Sequence, residues 1–357
     1  GNHRKNWIVK TYFWKKYRIK NIGDSLSILN QKTPLWKPFL LMLPSILTIF
    51  LFTFIPFIIV LANSFIVNTG FHADEIRPGF DNYKRIFELD MYKVGVRNSI
   101  IYAMTALPIS LVISILVSVA ITQIVKKWAR GFWQTIFFLP YVTSAVAVSL
   151  SFFYLFKTSD STGPGILNLT LKSLGLIKED IRFLDSGDIH SWKPLLVILI
   201  RGVWGNLAFQ ILILTTAMLS VDQQLYKAAA IDGASKGKQF FSVTLPSIRK
   251  TVSFLVTMGL INGIKVFPLA LFNNDPNAAA LNGGSSLMLM VYKFVNEGNF
   301  ALAGAASITL FVIGVVVSYS LRKIVALTFK ASLKIGEMNV LNKIESTSFK
   351  PKALFKI

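Results

Sequence analysis

The sequence predicts an all-α integral membrane protein with six transmembrane helices. Hydrophobic residues make up 53% of its 357 residues, charged residues only 15%, and the mean hydropathy is +0.55. A soluble domain carries more charge, because most of its surface must face water. A helix needs about 20 mainly apolar residues to cross about 30 Å of hydrocarbon. Six segments meet this requirement, at roughly 38–66, 98–125, 131–156, 194–220, 251–272 and 300–321.

Basic residues are distributed unevenly around these six spans. The two tails, the turn 126–130 and the loop 221–250 hold 25 of the 38 lysines and arginines with 5 acids, whereas the three opposite loops hold 10 with 12 acids. Basic loops stay on the cytoplasmic side, so we expect both termini and the loop 221–250 in the cytoplasm. The net charge of +21 then reports topology. No nucleic-acid partner is expected, since the basic residues form no separate folded domain.

The spans divide the chain into three regions. Residues 38–322 form the predicted transmembrane domain, between a basic and aromatic N-terminal tail at 1–37 and a basic C-terminal tail at 323–357. The first apolar run is too long for a cleavable signal peptide, so we expect it to remain as a helix. The N-terminal tail is either an interfacial helix on anionic lipid or a tethered tail that only obeys the topology.

Several prolines lie inside the predicted spans, among them Pro108, Pro140 and Pro268. A proline removes one backbone hydrogen bond and bends a helix, and neighbouring helices can satisfy the freed groups. These prolines are either plain kinks or points at which the helix bundle rocks during function.

A short polar and alanine-rich segment, residues 224–246, lies between the fourth and fifth spans. Its spacing predicts two helices, because Gly233 provides the left-handed turn that ends the first and Ser235 caps the second. Leu245–Pro246 is expected to stop the second helix. Small side chains on an exposed helix allow another protein to approach closely, which predicts a docking element. The stripe on the first helix contains Leu225, Ala228, Ala229 and Ile231.

This segment resembles the EAA loop of binding-protein-dependent ABC importers, through which the permease subunit docks on an ATPase. The family pattern is Glu-Ala-Ala, then Asp-Gly-Ala, then Leu-Pro. The corresponding residues here are Lys227-Ala228-Ala229, Asp232-Gly233-Ala234 and Leu245-Pro246. The resemblance makes these eight residues the expected ATPase-coupling site. One departure is Lys227, which stands where the family has glutamate.

The resemblance covers residues 38–322 and leaves only the two tails outside it. Further runs that match sugar-importer permeases are Gly79-Phe80-Asp81-Asn82-Tyr83, Arg97-Asn98-Ser99 and Phe137-Phe138-Leu139-Pro140. The resemblance implies the type I ABC importer permease fold. Size and loop lengths are similar to those of the carbohydrate-uptake group, the maltose-permease or glycerol-phosphate-permease type.

The resemblance also implies partners and a mechanism. The chain is expected to form half of a translocation path for a sugar or a sugar-like substrate such as a polyol phosphate. Its expected partners are a second permease subunit, two ATPase subunits, an external substrate-binding protein or lipoprotein, and the lipid of a bacterial cell membrane. ATP and Mg bind to the ATPase subunits, and this chain binds no cofactor. Closure of the ATPase pair is transmitted through the loop and produces alternating access.

The sequence lacks the residue clusters of an enzyme. A Gly-x-x-x-x-Gly-Lys-Ser/Thr phosphate loop is absent, because the run from Gly233 to Gln239 has the wrong spacing and ends in an amide. There is no cysteine, and His3, His72 and His190 lie far apart. We therefore expect neither a metal site nor a catalytic triad in this chain.

Aligned on the loop without gaps, the resemblance places the sugar-contacting positions of the maltose-type permease in the fourth and fifth spans. They are Gly202, Gly205, Asn206, Phe209, Gly259, Asn262, Gly263 and Val266. Because several of these positions are glycines, we expect a looser or larger pocket than a maltose-type site.

The same two spans contain the basic residues Arg201 and Lys265. Cations inside a span are costly and often mark a functional site. At a rise of 1.5 Å per residue, counting from the outer ends of the predicted helices puts both about 10 Å deep. There they would attract an anionic substrate through charge-assisted hydrogen bonds. Alternatively, either residue snorkels to the interface or pairs with polar groups across a subunit boundary.

Two other protein classes are the alternatives to a permease. A secondary transporter or channel needs no ATPase and usually carries ionisable coupling residues at mid-membrane, whereas no acid lies in any predicted span. A membrane-embedded enzyme needs a clustered catalytic constellation, which the sequence lacks. Co-purification with an ATPase subunit distinguishes a permease from the first alternative.

Overall fold

The computed structural model of the protein describes residues 36–68, 76–161 and 163–347. These residues form two compact units that divide between Ile59 and Val60. The predicted N-terminal tail lies almost entirely outside the described residues.

The first unit is the helix of the first predicted span. It contains α1 (Trp36–Ile49), a π turn (Phe50–Phe54) and α2 (Ile55–Ser64), whose last residues belong to the second unit. The π turn is closed by a backbone hydrogen bond from the N–H of Ile55, immediately before Pro56, to the carbonyl oxygen of Phe50 five residues earlier. A proline ring clashes with the carbonyl group four residues earlier, and a wider π turn at this point relieves the clash.

The second unit is mainly helical, with one small hairpin. Strand β1 (Ile66–Asn68) pairs antiparallel with β2 (Ile76–Pro78). The described helices of this unit are, in chain order, α3 (Asp81–Glu88), α4 (Asp90–Thr122), α5 (Lys127–Val142), α6 (Ala145–Phe156), α7 (Ile166–Ser173), α8 (Lys193–Leu219), α9 (Gln223–Ile231), α10 (Lys236–Gln239), α11 (Leu245–Ser247), α12 (Arg249–Gly263), α13 (Pro276–Leu281), α14 (Leu287–Asn296) and α15 (Phe300–Thr347).

Four of the six predicted spans are found as helices that are long and apolar enough to cross a membrane. They are Pro38–Ser64, Asp90–Thr122, Lys193–Leu219 and Phe300–Ile324. Pro108 lies inside α4, which continues as a helix on both sides of it.

The third predicted span, 131–156, is broken. Helices α5 and α6 together have the length and composition of a span, but their axes meet at 91°. Thr143 and Ser144, between them, have extended backbone angles. Pro140 lies inside α5 rather than at the bend, so the sharp turn follows the expected kink by three residues.

The prediction of a fifth span over 251–272 was wrong in its second half. Helix α12 ends at Gly263 after 15 residues, and a short 3-10 turn follows at Leu269–Phe272. Pro268 therefore lies outside a helix, at the start of this turn. A proline disfavours helical geometry in the residue before it and has no N–H to donate, so Pro268 opposes a return to α-helix at Phe267.

Polar side chains join α4 to α8. Ser110, Ser114 and Ser118 are spaced four residues apart on α4 and are fully buried. Gln210 on α8 donates to the Ser110 hydroxyl at 3.1 Å and accepts from the Ser114 hydroxyl at 2.9 Å. Ser118 donates to the carbonyl oxygen of Ile211 at 3.3 Å. Small polar residues of this kind let membrane helices approach closely and hydrogen-bond to each other.

Glycines bring two other stretches of helix against α4. A methyl group on Gly202 of α8 would overlap the ring and hydroxyl of Tyr102, and one on Gly259 of α12 would overlap Leu107. A Cβ on Gly263 would lie 3.3 Å from the α4 backbone. The absence of side chains at these positions therefore allows α8 and α12 to pack on the same helix.

The Arg-Asn-Ser run at the start of the second span forms hydrogen bonds with a loop far away in the chain. The side-chain amide of Asn98 donates to the carbonyl oxygens of Gly283 and Ser285, both at 2.9 Å. Ser99 accepts from the backbone N–H of Leu287 at 2.9 Å. The Arg-Asn-Ser run thus attaches α4 to the segment that leads into α14.

The last helix, α15, is continuous over 48 residues, about 72 Å at 1.5 Å per residue. The predicted end of the transmembrane domain at residue 322 lies inside it. The described part of the C-terminal tail, as far as Thr347, continues the helix, and residues 348–357 lie outside the described chain.

We predict that Gly202→Ala destabilises the protein by about 1–3 kcal/mol, because its methyl group overpacks the contact with Tyr102. Gly205→Ala is the matched control, since the nearest atom to its Cβ is Arg201 Nη1 at 3.7 Å. Thermal unfolding of the purified protein in detergent compares the two variants. Equal midpoints would contradict the close approach of α8 to α4.

Candidate coupling loop and substrate path

The predicted helix–turn–helix is confirmed in residues 222–239. Asp222 caps α9 by accepting from the N–H of Gln224 at 2.9 Å. Ser235 caps α10 by accepting from the N–H of Lys238 at 3.4 Å. The caps satisfy backbone donors that the first turn of a helix leaves unpaired.

The turn between α9 and α10 depends on Gly233, whose φ is +73°. Its N–H donates to the carbonyl oxygen of Ala230 at 3.0 Å, and the N–H of Ala234 donates to Ala229 at 2.9 Å. These two bonds form a Schellman motif, which needs a left-handed residue at the glycine position. The Asp-Gly-Ala run therefore has a definite backbone role at the end of α9.

The prediction that Leu245–Pro246 stops the second helix was wrong. A π turn at Phe240–Thr244 lies between α10 and α11, and Pro246 lies near the start of α11. The backbone N–H of Leu245 donates to Phe240 across the wide turn. As before Pro56, the wider geometry makes room for the proline ring, so the chain remains helical as far as Ser247.

Two side-chain contacts hold the halves of the loop together. The hydroxyl groups of Tyr226 on α9 and Thr244 in the π turn are 2.8 Å apart, and Thr244 is buried. The buried side chain of Gln239 donates to the carbonyl oxygen of Ala234 at 2.9 Å. Sequence reasoning missed Tyr226, Gln239 and Thr244 as members of the site, because their partners are 18 and 5 positions away and follow no short motif.

The base of the loop belongs to a hydrophobic core that it shares with four helices. Tyr226 and Phe240 pack there with side chains of α4, α8, α12 and α15. Representative buried members are Leu107, Leu214, Met218, Ile248, Val252 and Leu255. The loop is therefore packed against these four helices.

The opposite surface of the loop exposes large apolar side chains. Ile231 is 87% exposed and Phe241 is 69% exposed. Leu225 and Ala228 are also exposed, whereas Ala229 is half-buried, so the predicted stripe faces outward only in part. Lys227 is exposed and has no ion-pair partner among the described residues. The loop thus exposes the apolar side chains of Ile231 and Phe241 together with the positive charge of Lys227, which is unpaired within the described chain.

The expectation of a looser pocket at the predicted substrate path is not met at three glycines. Gly202, Gly259 and Gly263 face α4, and the space beside them is filled by its side chains or backbone. Only Gly205 has open space, apart from Arg201. A missing side chain enlarges a cavity only where nothing else occupies its place, and here a neighbouring helix does.

The other predicted path residues have different surroundings. Phe209 stacks on Tyr141 with ring centroids 5.5 Å apart. Asn206 is half-buried, and Asn262 is exposed. The carbonyl oxygen of Val266 accepts from Ser286. Tyr141, which sequence reasoning missed, brings α5 to α8 beside the bend of the third span.

The two basic residues of the predicted substrate path, Arg201 and Lys265, differ in their side-chain contacts. Arg201 is half-buried and donates from Nη2 to the carbonyl oxygen of Ala145, beside the bend, at 3.3 Å, while its Nε has no partner among the described atoms. Lys265 is exposed beyond the end of α12 and has no side-chain partner in the described chain. The depth expected for Lys265 assumed a helix to residue 272 and does not apply.

Comparisons with known proteins agree with this architecture. Residues 115–329 match the family of binding-protein-dependent transport system inner membrane components. The probable ABC transporter permease protein MG188 homolog of Mycoplasma pneumoniae is 42% identical over 330 residues, covering 92% of this chain and 97% of that protein. The arabinooligosaccharides transport system permease protein AraP of Halalkalibacterium halodurans is 26% identical over 267 residues, covering 75% and 78%.

A solved structure has a similar fold. One chain in the crystal structure of a bacterial alginate ABC transporter, in complex with an alginate pentasaccharide-bound periplasmic protein, superimposes with a TM-score of 0.64 at 21% identity. The match covers 80% of this chain and 92% of that one. The likeness confirms the predicted type I permease fold. The chain therefore belongs to the family of binding-protein-dependent transport system inner membrane components, as a multi-pass ABC transporter permease of the sugar-uptake type.

Proposed function

We propose that this chain forms half of the translocation path of an ATP-driven importer, together with a second permease subunit. Two ATPase subunits would bind ATP and Mg, and an external binding protein or lipoprotein would deliver the substrate. Both termini and the loop 221–250 would face the cytoplasm, in keeping with the positions of the basic residues. The chain itself would bind no cofactor and catalyse no reaction.

The observation that carries this proposal is the shape of the loop 221–250. Its outer surface exposes Ile231 and Phe241, although exposed large apolar groups on a polar loop are costly unless a partner covers them. Its base is packed into the core formed by α4, α8, α12 and α15. A protein that binds the outer surface can therefore exert force on four helices at once.

The proposed movement is alternating access. Closure of the ATPase pair would displace α9 and α10, and the rigid Schellman turn would pass this displacement to the helix ends. The hydrogen bonds from Tyr226 to Thr244 and from Gln239 to Ala234 would prevent the two halves of the loop from moving separately.

The proposed substrate is a sugar or a sugar-like compound. Support comes from the similarity to a permease named for arabinooligosaccharide transport and to a chain of an alginate transporter. An anionic substrate is favoured by Arg201, whose Nε lacks a partner among the described atoms, and by the exposed ammonium group of Lys265.

Docking is tested by replacing Ile231 and Gly233 in the complete transporter. We expect Ile231→Ser to weaken ATPase binding about 10- to 100-fold, since burying an isoleucine side chain contributes about 1.5–3 kcal/mol. Gly233→Pro should abolish co-purification, because proline cannot adopt a positive φ. Gln223→Ala, on the exposed first turn of α9, is the control. An ATPase that binds all variants equally, or none of them including the native chain, would contradict the proposal.

The charge at Lys227 predicts the chemistry of the facing ATPase groove. We expect an acidic or neutral contact there, so Lys227→Glu should weaken docking, and added salt should reduce the difference from the native chain. Affinity of the purified ATPase for the permease complex, measured at low and high salt, provides the test. Tighter binding of the glutamate variant would indicate a basic groove, although the docking role of the loop would stand.

Substrate charge is tested with Arg201→Gln and Lys265→Gln, singly and together. If both cations attract the substrate, the double variant should lose uptake of phosphorylated or carboxylated sugars and retain uptake of neutral ones. Uptake by vesicles that contain the complete transporter and its binding protein distinguishes the two classes. Unchanged uptake of every anionic sugar would exclude this role for the two residues.

A further inference from the structure

Helix α7 and the turn after it expose a cluster of aliphatic side chains. Ile166, Leu169, Leu174 and Leu176 are each more than half exposed, with values from 56% to 68%. They belong to the connection between α6 and α8, which contains no span of its own. Four aliphatic residues exposed together on one short segment are unfavourable in water, so this surface needs a cover.

The opposite side of α7 is fixed to the protein. Leu167 packs against the hydrophobic core, and Asn168 is fully buried. The Asn168 amide donates to the carbonyl oxygens of Lys157 and Ile181 at 3.3 and 3.1 Å and accepts from the N–H of Ile181 at 3.0 Å. These bonds fix the orientation of the helix, so the aliphatic face points outward in a defined direction.

The position of α7 relative to the predicted spans indicates its depth relative to the membrane surface. Gly165, its first flanking residue, lies so close to the backbone of Leu155 and Lys157 that a Cβ there would be 2.6 Å from the Lys157 carbonyl oxygen. Those residues lie at the end of α6, which is also the end of the third predicted span. The exposed aromatic side chains of Tyr154 and Trp192 flank the connection, at the ends of two apolar helices. Tyrosine and tryptophan in such positions mark the membrane–water interface.

The chemistry of the exposed face favours lipid over a protein partner. Its large side chains are aliphatic, whereas the strongly contributing residues of protein interfaces are mainly Trp, Tyr and Arg. The one charged residue within α7, Lys172, forms an ion pair with Asp180 at 2.6 Å. Exposed apolar side chains on a short helix whose one basic residue is ion-paired fit a segment that lies in the interface.

We propose that α7 and the following turn lie in the membrane interface and bury Ile166, Leu169, Leu174 and Leu176 among the acyl chains of the adjacent leaflet. The helix would fix the depth of the broken third span, whose two halves meet at 91° and therefore do not define a single crossing axis. This inference concerns the membrane contact of the chain and does not depend on ATPase docking or on the substrate.

The test uses spin labels on the complete transporter in phosphatidylethanolamine–phosphatidylglycerol vesicles. The native chain has no cysteine, so single substitutions Leu169→Cys and Leu174→Cys carry one label each. Collision with oxygen, which concentrates in lipid, is compared with collision with a water-soluble nickel chelate. We expect a higher oxygen-to-nickel ratio at both positions than at Lys178→Cys, an exposed polar site in the same connection. Val112→Cys, 57% exposed on α4, provides the value for a position inside a span.

Two results would overturn the proposal. Labels at 169 and 174 that collide with the nickel chelate as often as the label at 178 would place the face in water. Labels that neither reagent reaches would show that a protein, such as the partner permease or the binding protein, covers it.

Discussion

The packing of α4 against α8 through small and polar residues is the constraint on which the second unit depends. Lipid tails are as apolar as leucine, so apolar side chains alone give membrane helices little reason to associate. Here Gln210 forms hydrogen bonds with two serines of α4. The missing side chain of Gly202 leaves space for Tyr102 between the two helices. Helix α12 uses the same surface through Gly259. Helix α4 is thus the common contact surface for the helices that precede and follow the loop 221–250.

This arrangement gives the loop 221–250 a rigid base. The loop connects α8 to α12, the two helices that pack on α4, and its own residues Tyr226 and Phe240 belong to the same core. A displacement applied at Ile231 therefore acts on a packed body rather than on a flexible connection. Gly233, with its positive φ, and the two side-chain hydrogen bonds within the loop add to this rigidity, because they fix the angle between α9 and α10.

Among the described residues, irregular backbone interrupts helices at four places, three of them in segments where a count of apolar residues predicts straight spans and one in the loop 221–250. Two are π turns, and each precedes a proline, Pro56 or Pro246. The others are the bend between α5 and α6 and the end of α12 at Gly263. Irregular backbone inside a membrane is tolerated only where protein or a water-filled path surrounds it. Arg201 donates a hydrogen bond beside the bend, so the least regular part of the span adjoins a polar group.

The sequence by itself determined the properties that depend on local composition and short spacing. Hydropathy located four of the six predicted spans as continuous helices, and the Asp-Gly-Ala run predicted the turn at Gly233. Only the tertiary structure decided what lies opposite each residue. Gly202 and Gly205 are the same residue type and lie three positions apart on α8. Yet Gly202 packs against Tyr102, whereas Gly205 has open space beside it. A glycine or an amide has no fixed role of its own, because its effect depends on the distance to atoms of a helix far away in the chain.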